Sequence, residues 1–287
     1  MNFTYNLKQD IETVLDTKSL DLERFSKLSK VSKRNILYSY INEPSNNTLD
    51  KIYSAIYNLH IRLNKAKAEV FEETYSSKDQ IVLFHGAKDK VEKFSKDGSR
   101  EICDFGKRLY LTKFIDSAIS FVENYPNSSL YCFYADLKGL DILELDCDFD
   151  WMVAVSYYRG KLTKYQNHQK VQEIIKKIES CDLLIAPIAD NKMFDILNQF
   201  AEGLINTKQA IHCLSASRLG KQYVIISDKA LNRLKPIERL YLCKEEKEKS
   251  KSDSFERSLL IQSKLDFAKR NFRTEGEYID EVLKWKS

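Results

Sequence analysis

Apolar residues recur at helical spacing from residue 8 to about 73. Ile11, Val14 and Leu15 form one stripe and Leu22, Phe25 and Leu28 another. Only Pro44 and the polar run NEPSNN interrupt this region. Residues 29–32 make a tight connection, and Ser32 is placed to cap the helix KRNILYSYI. Thr48 is placed to cap one long helix, LDKIYSAIYNLHIRLNKAKAEVFEE, with Leu49, Ile52, Ala55, Ile56 and Leu59 facing a core. From residue 81 the pattern shortens. β-rich runs at 81–84, 109–112, 129–135, 140–145, 181–187 and 223–226 alternate with helical stripes such as Ile115, Ala118, Ile119 and Val122, or Met193, Ile196, Leu197 and Phe200. Residues 223–226 read as the last clear strand, and Thr207 as the cap of a helix through Leu214. KEEKEKSKSDS is a solvated run, either a linker or the exposed start of a helix. Helical spacing resumes over 255–272, and Ile279, Val282, Leu283 and Trp285 form a last apolar face.

These elements divide at the polar stretch 75–79 into a helical domain (1–76), an α/β-patterned domain (77–243) and a helical extension (244–287). A doubly wound parallel sheet is disfavoured: the chain has neither GxGxxG nor GxxxxGK[ST], and only eight glycines. The N-terminal part has the shape of a helix-turn-helix, because a short helix and a tight turn lead into a helix opening on Lys33, Arg34 and Asn35, with Tyr38 one turn on. Polar and basic groups at that helix start are placed to read nucleic acid. The glycine common in such turns is absent. The segment resembles repressor-like helix-turn-helix domains, many of which bind DNA while others dimerise or hold a protein partner.

Composition narrows the setting. Six scattered cysteines, without CxxC or a metal-ligand spacing, point to reduced thiols, a cytoplasmic location and no metal. No apolar run approaches the roughly 18 residues of a membrane span, and the start MNFTYNLKQD has no signal-like core. A formal charge of +4 is weak evidence for a nucleic-acid partner.

The chemistry-bearing residues come in order. A strand leads into His85-Gly86; Asp104-Phe105-Gly106 precedes a second strand carrying Tyr110; a polar residue, Gln222, stands at the entry to the 223–226 strand. This order resembles ADP-ribosyltransferases of the branch shared by diphtheria toxin and the poly(ADP-ribose) polymerases. Within it, the chain is similar to a little-characterised bacterial family over roughly residues 80–242. Trp151 followed by Arg159, and Ala189-Asp190-Asn191, complete that likeness. The resemblance implies an α+β fold: a helix-turn-helix bundle, then a split β-sheet domain with a nicotinamide cleft, then a helical tail. It implies NAD+ as co-substrate, with His85 on a ribose hydroxyl, the Gly86 backbone on the carboxamide and Tyr110 stacked on nicotinamide. Gln222 stands where most of the superfamily has Glu; an amide orients a ribose but cannot act as a general base. Asp190 and Arg159 are placed to bind the cofactor, and Glu202 or Asp190 to supply a base. Asn191 replaces the second Asp of the family's Ala-Asp-Asp pattern. The implied function is a mono-ADP-ribosyltransferase toxin or phage-defence effector acting on RNA, DNA or protein. A neutralising protein and a homodimer through the N-terminal domain are the partners expected. The alternative is a DNA-binding regulator that senses NAD+ or a nucleotide without turnover.

Overall fold

The computed structural model describes residues 3–189, 191–214 and 220–284. In chain order these form α1 (Leu7–Lys18), α2 (Leu22–Ser29), α3 (Lys33–Ser39), α4 (Asn46–Asn58), α5 (Leu63–Tyr75), β1 (Gln80–Ala87), β2 (Leu109–Thr112), α6 (Ile115–Ser120), β3 (Ser129–Asp136) and β4 (Ile142–Glu144). They continue as α7 (Phe149–Tyr158), α8 (Gln169–Ser180), β5 (Leu183–Pro187), α9 (Asn191–Ala201), α10 (Thr207–Leu214), β6 (Lys221–Ile225), α11 (Asp228–Asn232), β7 (Leu234–Tyr241), α12 (Lys244–Asn271) and α13 (Ile279–Lys284). The fold is α+β, as the alternation of patterns implies: helices first, seven strands of mixed direction with helices between them, and helices last. Among the described residues no helix is long and apolar enough to cross a membrane. All six cysteines are unpaired.

The chain forms two compact units. The first comprises residues up to 93, 114–136 and 234–253. Its α2–turn–α3 segment follows the sequence reading. Asp21 caps α2 by accepting from the Arg24 N–H at 2.7 Å, and Ser32 caps α3 through the Asn35 N–H at 3.2 Å. Lys30 takes the left-handed conformation (φ 54°) at the turn, where glycine is the usual occupant. Two boundaries differ from expectation. Ser45, not Thr48, caps α4, accepting from the Thr48 N–H at 3.3 Å. The expected long helix breaks after Asn58: His60 is left-handed (φ 60°), and Arg62 lays its guanidinium 3.7 Å from the Tyr57 ring centre before α5 begins. β3 pairs antiparallel with both β1 and β7. β7 lies beyond the strand expected to be last. Pro236 sits within it opposite Phe133, where the register with β3 shifts, and its buried Glu238 and Arg239 hide the apolar alternation. Residues of α1–α4 bury one core together with Tyr241 and Cys243, while α6 closes the opposite core of β1, β3 and β7.

The second unit comprises residues 94–113, 137–233 and 254–287. Its strand order is β4-β5-β6-β2, with β4 and β5 parallel and the other pairs antiparallel. The apolar run 151–158 lies in helix α7, capped by Asp148 accepting from the Trp151 N–H at 3.0 Å. Trp151, Met152 and Val155 join Leu184, Ala186, Val224, Ile196 and Phe200 in one core. KEEKEKSKSDS is the start of the 28-residue α12, supported by the i,i+4 pairs Lys244–Glu248 and Lys249–Asp253. The later part of α12 places Ile261, Leu265 and Ala268 in the second unit's core. Trp285 lies outside the described residues.

Candidate functional site

Strand register decides which polar groups can meet. In an antiparallel pair, residues directly opposite one another project from the same face. Thr112 is opposite Gln222, which is opposite Ala186; Tyr110 is opposite Val224, which is opposite Leu184. Tyr110, Thr112 and Gln222 therefore share the face that packs under α7 and α9. That face is apolar except for these side chains, so each polar atom on it needs a partner.

The partner for Gln222 is Asp104, in the loop before β2. Both are buried, 4% and 6% exposed. Gln222 Nε2 donates to Asp104 Oδ2 at 3.0 Å and to the Pro187 carbonyl at 2.9 Å. The other Asp104 oxygen, Oδ1, accepts from Arg159 Nε at 2.9 Å and from Arg159 Nη2. The Ala189 N–H donates to Asp104 Oδ2 at 3.3 Å. The Trp151 indole N–H shares the Pro187 carbonyl at 3.1 Å, and the Arg159 guanidinium lies 4.1 Å from the Phe194 ring centre. One carboxylate thus ties the loop before β2, the end of α7, the loop after β5 and the start of β6.

Tyr110 fixes the loop that carries Asp104. Its hydroxyl accepts from the Phe105 N–H at 3.0 Å and donates to the Gly106 carbonyl at 2.7 Å. Burial, then the Asp104 carboxylate beside it, push the phenol well above its ordinary value, so it stays protonated. Gly106 has φ 76°, and a Cβ there would come within 3.2 Å of Tyr158, so both backbone freedom and space call for glycine. Phe105 is fully buried against Tyr158, whose hydroxyl donates to Glu179 at 2.5 Å.

His85 and Gly86 belong to the first unit. β1 continues through them to Ala87, beyond the strand end expected at residue 84. His85 is half-buried opposite Tyr131. At Gly86 the close approach that excludes a side chain is made by α6 and the turn after it: a Cβ would meet the Ala118 carbonyl at 2.5 Å and Val122 at 3.0 Å.

Residues 81–235 match the model of a family described as a protein of unknown function (DUF3990). The chain belongs to the DUF3990 family. No curated protein and no solved structure matches it. The DUF3990 segment holds every residue of the network around Asp104. Of the expected site residues, the structure brings Tyr110, Arg159 and Gln222 together in the second unit. Arg159, expected to bind the cofactor, has Nε and Nη2 on Asp104. Glu202 is exposed just after α9, and Asp190 lies outside the described residues. Asp104 itself was legible only as part of Asp-Phe-Gly, since its role comes from contacts 55 and 118 residues away in the chain. Outside the DUF3990 segment, Lys33, Arg34, Asn35 and Tyr38 are all exposed on α3.

Proposed function

We propose that this DUF3990 chain is an NAD+-dependent mono-ADP-ribosyltransferase, a bacterial toxin or phage-defence effector of the cytoplasm. The observation that supports this reading is the convergence on Asp104: Gln222, Arg159, Trp151 through the shared Pro187 carbonyl, and Ala189 come from separate motifs of the resemblance. Tyr110, on the same strand face as Gln222, pins that loop. Cleaving the nicotinamide–ribose bond develops oxocarbenium character on the ribose, as in glycoside hydrolysis. The protein's task is to hold the dinucleotide and place acceptors and dipoles around that charge. In this reading His85 holds a ribose hydroxyl, the Gly86 backbone holds the carboxamide, the Tyr110 ring stacks on nicotinamide and Gln222 meets the ribose. Arg159 serves the cofactor through its hold on Asp104, and Asp190 follows the Ala189 N–H that Asp104 also holds. Without a carboxylate at position 222, the acceptor must bring a reactive nucleophile or rely on Asp190 or Glu202 as base. The acceptor is RNA, DNA or protein, with the exposed cations of α3 favouring nucleic acid. A neutralising partner protein, and pairing of two copies through the N-terminal helices, belong to the same reading.

The exposed Lys33, Arg34, Asn35 and Tyr38 on α3 also favour a second reading, a DNA-binding regulator that senses NAD+ or a nucleotide without turnover. Incubating the full chain with labelled NAD+ and separate pools of protein, DNA and RNA distinguishes the two. Transfer of label or release of nicotinamide supports the enzyme, and His85→Ala should then reduce it at least about 100-fold. Binding without turnover supports the regulator. Absence of any NAD+ binding overturns the leading reading.

A further inference from the structure

The orientation of the Gln222 amide follows from chemistry. Its two neighbours, the Pro187 carbonyl and the Asp104 carboxylate, are both hydrogen-bond acceptors, so only the NH2 end can face them. A flipped amide would set Oε1 against two acceptors in a buried site and take both amide hydrogens away from the partners they have there. Asp104 cannot turn away to relieve this, because Arg159 holds its Oδ1 and the Ala189 N–H holds its Oδ2. Both amide hydrogens are thereby committed, and Oε1 is the atom left to meet a ligand. Donation from Nε2 to a carboxylate also draws charge onto Oε1, which strengthens it as an acceptor.

We infer that Asp104 is a positioning residue that converts Gln222 into a fixed hydrogen-bond acceptor, selective for a ligand hydroxyl. The inference rests on the reading of this site as an NAD+ site, where the hydroxyl is that of the nicotinamide ribose. It specifies the chemistry at position 222. A hydroxyl can donate to Oε1, whereas a phosphate or carboxylate oxygen placed there meets another acceptor.

Two measurements on the full-length chain test it. In the first, side-chain NH2 exchange is followed by nuclear magnetic resonance without ligand, the Gln222 pair being assigned by its absence in Gln222→Met. The pair should exchange slowly in the wild type and at least about tenfold faster in Asp104→Asn, because an Asn accepts more weakly and tolerates a turned amide. A rapidly exchanging wild-type pair overturns the inference, even if Asp104→Asn fails to fold. In the second, calorimetry compares NAD+ with its analogue lacking the nicotinamide-ribose 2′-hydroxyl. The wild type should bind the analogue about tenfold more weakly, as the loss of one hydrogen bond gives. Folded Asp104→Asn should still bind NAD+ but shrink that preference to about twofold or less. An undiminished preference in Asp104→Asn overturns the inference while the NAD+ site stands. A wild type that binds neither ligand overturns the site reading, and the hydroxyl selectivity with it.

Discussion

The two units use the same amide device with different charges. In the first, Asn64 Nδ2 donates to the Tyr241 carbonyl at 2.9 Å and to Glu246 Oε2 at 2.8 Å. In the second, Gln222 Nε2 donates to the Pro187 carbonyl at 2.9 Å and to Asp104 Oδ2 at 3.0 Å. Each amide bridges a backbone carbonyl and a carboxylate. The Asp104 carboxylate also has an arginine on its other oxygen. For Glu246 burial dominates, and its carboxyl is pushed up to about 7 despite the pull of Asn64. The difference is what Arg159 contributes: a guanidinium on the carboxylate that Gln222 faces. The surroundings differ as well. Asp104, Arg159 and Ala189 sit in loops or just past element ends, and Gln222 is the second residue of β6, so this cluster sets loop geometry, where binding groups usually reside.

Removing the arginine should break the contrast most strongly. Arg159→Met leaves Asp104 buried without a cation and should cost about 3–5 kcal/mol at pH 7, measured by denaturant unfolding. Next in size is Gln222→Glu, which sets a second carboxylate against Asp104 and the Pro187 carbonyl. It should cost about 2–3 kcal/mol at neutral pH, partly recovered as one of the paired acids protonates on acidification. A carboxylate at position 222 is therefore expected to weaken this site, so wild-type stability in that variant would contradict the arrangement around Asp104.

Glu246→Gln sharpens the comparison from the other side. The folded pKa is raised, so the wild type carries a penalty that appears above the unfolded value near 4.5 and is complete above about 7. The variant, which still offers Asn64 an acceptor, should match the wild type near pH 4 and gain about 2 kcal/mol at pH 8, a figure reduced for Glu246 being part-buried. The smallest effect is expected for Tyr110→Phe. It keeps the ring and loses the two hydrogen bonds to Phe105 and Gly106, at about 1–2 kcal/mol by thermal unfolding.

Strands with unbroken apolar runs were legible in the sequence, as at Leu83 and Phe84 in β1 or Leu183 and Leu184 in β5. So was the α2–turn–α3 segment, because Ser32 caps as its type and position suggest. β7 was not, since Pro236, Glu238 and Arg239 disguise a strand whose charges are neutralised from afar: Lys67 meets Glu238, and Glu43 meets Arg239. The break between α4 and α5 was hidden because its left-handed residue is His60 rather than glycine. At the site, the ordered motifs of the family resemblance, rather than residue types alone, pointed to Tyr110, Arg159 and Gln222, while burial and long-range contacts assign Asp104 its place.

The first unit is assembled from three separated stretches of chain, and this bears on how the molecule is made. Helices α1–α5 are complete at residue 75, yet Tyr241 and Cys243, which share a core with residues of α1–α4, are added only after the bulk of the second unit has been synthesised. A nascent chain released early would present the buried faces of those helices to other proteins, the exposure that chaperones meet during synthesis. A fragment cut at the limits of the family match ends at residue 235, the second residue of β7. Recombinant work on the DUF3990 segment therefore needs the chain carried through the end of β7 and into α12, together with helices α1–α4, which share a core with Tyr241 and Cys243.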